Sequence, residues 1–325
     1  MFPESRPRRL RSTAAIRDLV ADTRLSTKDF IAPLFVREEG DAPVPIKSLP
    51  GVVQHTLSSL KDEVRQLRDL GVPGVILFGI PKHKDEVGSG AFDPNGIVQR
   101  ALSELRASVG DDMVLMADLC VDEYTSHGHC GVLDAKGHVD NDATIEIYTK
   151  AAVAQARAGA HVVAPSGMMD GQVGAIRSAL DYNNFLDTAI LAYSAKYASG
   201  LYGPFRDAVE VQIASGGDRK GYQQDYRNTR EALREAMADV DEGADMVMVK
   251  PALSYLDILA DVRAAVDVPV AAYQVSGEYA MIKAAAANGW IDHDAVAVEQ
   301  LTAIKRAGAS FILSYFARWF AENNQ

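Results

Sequence analysis

The sequence predicts a TIM-type (β/α)8 barrel, and three observations predict it. Eight short apolar, β-branched runs recur along the chain, helix-patterned segments rich in Ala, Leu, Glu, Arg and Lys lie between most of them, and several of those segments end in glycine just before the next run. Most of the runs are continuously apolar instead of alternating, the pattern of strands buried on both faces of a parallel sheet. They span 31–36, 75–78, 113–119, 161–165, 189–194, 246–250, 268–275 and 311–316. The helical segments span 57–70, 97–109, 144–158, 171–180, 227–242, 255–266, 279–288 and 295–307. Gly71, Gly159, Gly243 and Gly308 follow four of these helices, where a left-handed cap turns the chain back towards the sheet. A doubly wound open sheet is the competing architecture. No Gly-x-Gly-x-x-Gly follows the first run, which weighs against its dinucleotide-binding form.

Three stretches exceed a minimal barrel. Residues 1–30, with Arg6, Arg8, Arg9 and Arg11, form an N-terminal arm ahead of a catalytic domain at 31–325; the arm is either a frayed terminus or a subunit contact. Residues 120–141 are polar and hold both cysteines, and 199–226 carry Gly200, Gly203, Gly216, Gly217 and Gly221 among charged and aromatic residues. Both insertions follow strands and so belong to the catalytic face, where long loops serve as lids.

The 325 residues are 48% hydrophobic and 24% charged, the profile of a chain with a full core. With 33 Lys and Arg against 44 Asp and Glu, the net charge is −11, which repels polyphosphate and anionic lipid. Nucleic acid and membrane are therefore not the expected partners; a small molecule is. No run of some 18 apolar residues and no signal-like start occur, so the expected location is cytoplasmic. Two cysteines, Cys120 and Cys130, make no disulfide framework; so close together among polar residues, they read first as metal-binding or reactive.

Polar residues stand at the ends of the apolar runs: Asp118 and Cys120, Ser166, Lys196, Lys250, Ser276 and Tyr315. In a TIM barrel these converge on one cavity. Lys250 closes Met-Val-Met-Val and Lys196 follows Ala-Tyr-Ser-Ala. A desolvated lysine, more so beside a second cation, gives up its proton and becomes an amine that attacks ketones. Either lysine alone could instead pair with a carboxylate such as Asp118, Asp170 or Glu278; the pair on adjacent strands points to Schiff-base chemistry. Cys120, Asp122 and Cys130 offer three ligands to zinc with a fourth position open, although the spacing matches no zinc finger and His127 and His129 are further candidates. Arg206 and Arg219 lie on the glycine-rich insertion, suited to clamping a carboxylate or simply solvated.

These residues also carry a family. The segment 243–255, Gly-Ala-Asp-Met-Val-Met-Val-Lys-Pro-Ala-Leu-Ser-Tyr, closely resembles the active-site signature of porphobilinogen synthase, also called 5-aminolevulinate dehydratase. Segments 193–199 and 202–208 resemble its second lysine region, and 124–131 its metal loop; 8–11, 164–171 and 275–281 extend the likeness over essentially the whole chain. The resemblance implies condensation of two 5-aminolevulinate molecules, with loss of two waters, to porphobilinogen in tetrapyrrole (haem) synthesis. It implies Lys250 and Lys196 as Schiff-base lysines, Ser276 and Tyr315 on one substrate carboxylate, Arg206, Arg219 and Gln223 on the other, and Asp118 and Ser166 lining the cavity. It also implies homo-octamers built through the arm, and an allosteric magnesium anchored by Glu235. Two departures stand out. Asp122 replaces the middle of three cysteines, giving a hybrid metal loop whose thiolates favour zinc over magnesium. Gly167 replaces an aspartate common in the family, a change expected to leave the chemistry intact. A class I aldolase-like lyase and an inactive metal-binding paralogue are the alternatives; the first needs one lysine, the second none.

Overall fold

The computed structural model describes residues 4–213 and 217–323. Gly216 and residues 1–3 of the arm lie outside the described residues. Among the described residues ten strands form one sheet: β1 (Phe30–Arg37), β2 (Val44–Pro45), β3 (Val53–His55), β4 (Gly74–Ile80), β5 (Val114–Leu119), β6 (Val162–Pro165), β7 (Ala189–Lys196), β8 (Met246–Lys250), β9 (Val270–Gln274) and β10 (Phe311–Ser314). Strands β1, β4, β5, β6, β7, β8, β9 and β10 run parallel in that order, and β10 pairs back onto β1 at Phe30↔Ile312 and Ile31↔Leu313. That last pairing closes the barrel and excludes the open sheet. All eight predicted runs are barrel strands. The small β2–β3 hairpin, which the sequence did not signal, adds to the upper end of β1 at Phe35↔Gln54 and Val36↔His55.

The helices are α1 (Ala14–Leu19), α2 (Leu57–Asp69), α3 (Ile97–Val109), α4 (Asn141–Arg157), α5 (Gln172–Tyr182), α6 (Gly203–Ala208), α7 (Arg230–Asp241), α8 (Leu256–Ala265), α9 (Ser276–Ala287), α10 (His293–Arg306) and α11 (Ala317–Asn323). Eight match the helical segments; α1, α6 and α11 are short and carry too few turns to show a period. Gly71, Gly159, Gly243 and Gly308 have φ of 85°, 108°, 105° and 117°, the left-handed caps expected of them. Barrel strands are buried almost throughout, β4 over all seven residues, so their apolar runs face the barrel interior on one side and the helices on the other.

No helix among the described residues is long and apolar enough to cross a membrane. In the arm, neither α1 nor the 3₁₀ turn Pro7–Arg11 has a buried residue. The arm ends where Lys305 Nζ meets Asp29 Oδ1 at 2.9 Å, just before β1.

Candidate active site

The two lysines sit opposite one another. Lys196 at the end of β7 pairs in register with Lys250 at the end of β8, and both are buried. A bulge sets up this arrangement. Ala192 pairs with Val247 and Ala195 with Val249, so two residues of β7 stand against one of β8. Strict alternation would put Lys196 on the face of Ser194, whose side chain is bonded to Asp239 on the surrounding helix α7. The extra residue re-aims Lys196 to the face of Tyr193, whose ring lies 5.6 Å from Lys196 Nζ and 5.0 Å from Lys250 Nζ.

Lys250 is boxed by aromatic rings. Tyr273 lies 4.3 Å from Nζ, Tyr193 5.0 Å, Phe205 5.2 Å and Tyr202 5.5 Å. Burial, reinforced by the neighbouring Lys196 charge, pushes the Lys250 amine down to about 7. Lys196 behaves differently from the sequence expectation. Burial lowers it, but the Cys130 and Cys120 thiols and the Asp122 and Asp118 carboxylates outweigh burial and raise it. Only Lys250 is therefore predisposed to be neutral, because the loop thiols bear on Lys196, whereas at Lys250 burial and the Lys196 charge outweigh the pull of Asp118, Asp122 and Glu123. Its Nζ donates to the Ser166 carbonyl, and Ser166 Oγ donates to Asp118 Oδ2 at 3.1 Å. Burial lifts Asp118 to about 6 against the pull of both lysines.

Asp118, Ser166, Lys196, Lys250, Arg206 and Arg219 line one cavity at the barrel mouth. The lid over it comprises the 3₁₀ turn Gly200–Tyr202 and α6, pinned by Gln54 Nε2 to the Ala208 carbonyl at 2.9 Å and by Phe205 N–H to Ser276 Oγ at 3.0 Å. Ser276 and Tyr315 lie beside the cavity: Ser276 is engaged by the lid, and the Tyr315 hydroxyl meets that of Tyr273 at 3.2 Å. Buried Arg206 Nε and Arg219 Nε have no partner, which leaves donors free for an anion. Gln223 Nε2 is also buried and unpartnered, but Gln223 lines a second cavity together with Glu235 and Asp170, one turn beyond Arg219.

Cys120, Asp122 and Cys130 each bring a ligand atom within 4.8 Å of the others, all buried. Asp122 Oδ2 is 2.7 Å from Arg219 Nη2; burial opposes its charge, but Arg219 and Lys196 hold its carboxyl well below the usual range. Burial raises both thiols, and the Cys120 hydrogen bond and Arg219 bring Cys130 back down to about 7 while Cys120 stays high. A thiolate and a carboxylate, with a second thiol beside them, form an anionic soft-donor pocket that suits zinc and fits magnesium poorly. The imidazoles of His127 and His129 bond elsewhere, to the Glu86 carbonyl and the Tyr222 hydroxyl.

Tyr148 was not visible as a site residue, because it reads as part of the apolar face of α4. Its hydroxyl donates to the Cys130 carbonyl at 2.5 Å and lies 3.6 Å from Cys120 Sγ. It also accounts for Gly167: a Cβ there would fall 1.8 Å from the Tyr148 hydroxyl and 2.5 Å from Cζ, so an aspartate at this position would have to displace the buried tyrosine ring. Tyr193, Tyr202, Phe205 and Tyr273 were likewise missed; an aromatic residue in a strand or lid reads as core.

Comparison with known proteins decides the family. A sequence model of delta-aminolevulinic acid dehydratase matches residues 4–323. The chain belongs to the delta-aminolevulinic acid dehydratase family. Curated members of this family named delta-aminolevulinic acid dehydratase include one from Streptomyces coelicolor, 60% identical over 97% of this chain and 96% of that protein. Another from Mycobacterium tuberculosis is 57% identical over the same shares. Among solved members, the crystal structure of the Toxoplasma gondii ME49 enzyme (porphobilinogen synthase) in complex with its reaction product porphobilinogen superposes with a TM-score of 0.96. It is 44% identical and covers 98% of this chain and 91% of that one.

Proposed function

We propose that this chain is a dehydratase that condenses two 5-aminolevulinate molecules into porphobilinogen, with loss of two waters. The observation that carries the reading is the register pairing of Lys196 with Lys250 in one buried cavity. Two ketones need two amines, and an aldolase-like lyase would leave one of these buried lysines without a task.

In this reading Lys250, the amine that burial keeps close to neutral, attacks the first ketone, and the carbinolamine loses water to give a Schiff base. Lys196 gives up a proton before it does the same with the second substrate. The aromatic box excludes water from the Lys250 adduct. The free Nε groups of Arg206 and Arg219 receive the carboxylate of the Lys196-bound substrate, while Ser276 and Tyr315 receive that of the other; Gln223, on the second cavity, backs Arg219 from one turn away. Asp118 and Ser166 orient the substrate amine near Lys196.

Cys120, Asp122 and Cys130 would hold zinc. Bound there, the ion would supply positive charge beside the second substrate and offset the anionic field of its own ligands. Glu235, half-buried and raised by burial and by Asp170 and Glu231, would anchor an activating magnesium through water in the second cavity. We place the enzyme in the cytoplasm, in the tetrapyrrole (haem) route, as a homo-octamer assembled through its arm.

Borohydride reduction in the presence of 5-aminolevulinate, followed by peptide mass analysis, should attach substrate to Lys250 and, at saturating substrate, to Lys196. Labelling of neither sinks the reading. Chelation should remove a stoichiometric ion and the activity, and zinc should restore both where magnesium alone does not; metal content by elemental mass spectrometry reads this out.

A further inference from the structure

The first turn of α9 carries a buried carboxylate that the chemistry above does not use. Glu278 is 1% exposed, and each of its oxygens holds a backbone N–H: Oε2 that of Val275 and Oε1 that of Leu253, both at 2.6 Å. The first bond is the glutamate half of a capping box at the helix start. The second crosses to the loop that leaves β8, three residues after Lys250; burial lifts the carboxyl to about 7 against the pull of the Val275, Leu253 and Ala252 N–H groups. Glu278 makes no ion pair among the described residues. Capping α9 alone needs no more than an exposed Ser or Asp; a buried carboxylate without a cation is an expensive way to begin a helix. What it adds is a fixed spacing between two strand ends.

The same turn meets the lid. Ser276 Oγ accepts the Phe205 N–H at 3.0 Å, and a Cβ on Gly277 would stand 2.5 Å from the Leu201 carbonyl oxygen, so the base of the lid presses directly on this glycine. Phe205 and Tyr202, carried by that lid, are two of the rings around the Lys250 amine. Residues 275–278 thus contact both the strand end that bears Lys250 and the lid that covers it.

We propose that Glu278 is a positioning residue for the Lys250 amine, holding the end of β8 in register with the Ser276 turn and the lid. It acts through Lys250 and Ser276 and touches no substrate. The inference rests on the reading that Lys250 forms a Schiff base, and the test separates the two.

The test compares wild-type full-length enzyme with Glu278→Gln in steady-state turnover and in the rate of borohydride trapping with 5-aminolevulinate. Glutamine keeps one acceptor oxygen but turns an NH₂ towards the other N–H, so one tie becomes a donor–donor contact. A displaced amine should lower kcat by about tenfold to a hundredfold, leave KM within about threefold, and slow trapping at Lys250 in proportion to kcat. If wild-type Lys250 is not trapped at all, the Schiff-base reading fails first. If it is trapped and Glu278→Gln is trapped at the wild-type rate, or loses only heat stability while kcat per folded enzyme is unchanged, the positioning role is overturned. Should the glutamine variant not fold, Glu278→Asp decides: it keeps both oxygens on a shorter arm, and a lowered kcat with unchanged KM supports the role, whereas wild-type kcat overturns it.

Discussion

Lys196 and Lys250 face one another across the same strand pair, yet their surroundings push their protons in opposite directions. Lys250 looks onto aromatic rings and is depressed to about 7; Lys196 looks onto thiols and carboxylates and is raised. On the proposed reading Lys250 is the attacking amine and must be neutral, so kcat/KM should fall about tenfold per pH unit below pH 7 as it takes up a proton. The stability effect has the opposite sense from that of an ion-paired lysine. The unfolded chain holds this proton up to a pKa of about 10.4 and the folded one does not, so burying Lys250 costs stability at neutral pH, and that cost shrinks as pH rises from about 7 towards 10. Lys250→Met should therefore abolish turnover with an unchanged far-UV circular dichroism spectrum and melt at a higher temperature than wild type at pH 7; a lower melting temperature would contradict the depressed pKa. The strand-end residue types were legible in the sequence. Their individual protonation was not, since it depends on which loop each side chain faces, and Tyr148 against Gly167 was hidden because the two meet only in three dimensions.

At the scale of elements, periodicity revealed every barrel strand and the eight long helices, since a strand buried on both faces and an amphipathic helix each leave a pattern several residues long. It did not reveal the β7 bulge, a single extra residue that changes which side of the strand bears Lys196, nor α6, one and a half turns with Gly203 and Pro204 at its start. The two catalytic-face insertions could be located but not seen to join. They are tied by Arg219, which bonds Asp122 at 2.7 Å and the Gly128 carbonyl at 2.8 Å, and by the Tyr222 hydroxyl, which accepts the Cys130 N–H at 3.3 Å. Arg219 thus joins the second insertion to the Cys120–Cys130 loop besides offering its free Nε to an anion. Arg219→Met leaves the Asp122 carboxylate buried without its partner and should cost about 3–5 kcal/mol in metal-free protein. Denaturant unfolding with chelator present measures that loss. Repeating it with zinc should shrink the loss, because a bound cation offers Asp122 another partner; an equal loss in both conditions would remove Asp122 from the ligand set.

For the whole molecule, the arm poses a question that the barrel alone does not answer. Leu25 packs against the barrel core, but the turns Pro7–Arg11 and Ala14–Leu19 ahead of it bury nothing within the chain, while Leu10, Leu19 and Val20 remain 56%, 79% and 43% exposed. The arm's cluster Arg6, Arg8, Arg9 and Arg11 is basic, whereas the chain as a whole carries a net charge of −11. Apolar side chains and a cationic segment reaching out from an acidic body are complementary to the body of a second copy, which would bury the former and attract the latter. An arm that clasps a neighbour contributes to assembly and little to the folding of its own barrel. Removing residues 1–24 should therefore leave the secondary structure of the barrel intact and convert the assembly to a smaller species, with the mass read by light scattering on a sizing column. Raising the salt should weaken whatever part of the contact is ionic without dissolving the apolar part. If the truncated chain keeps the mass of the full-length assembly, the arm is not the clasp, and Leu10, Leu19 and Val20 require another partner.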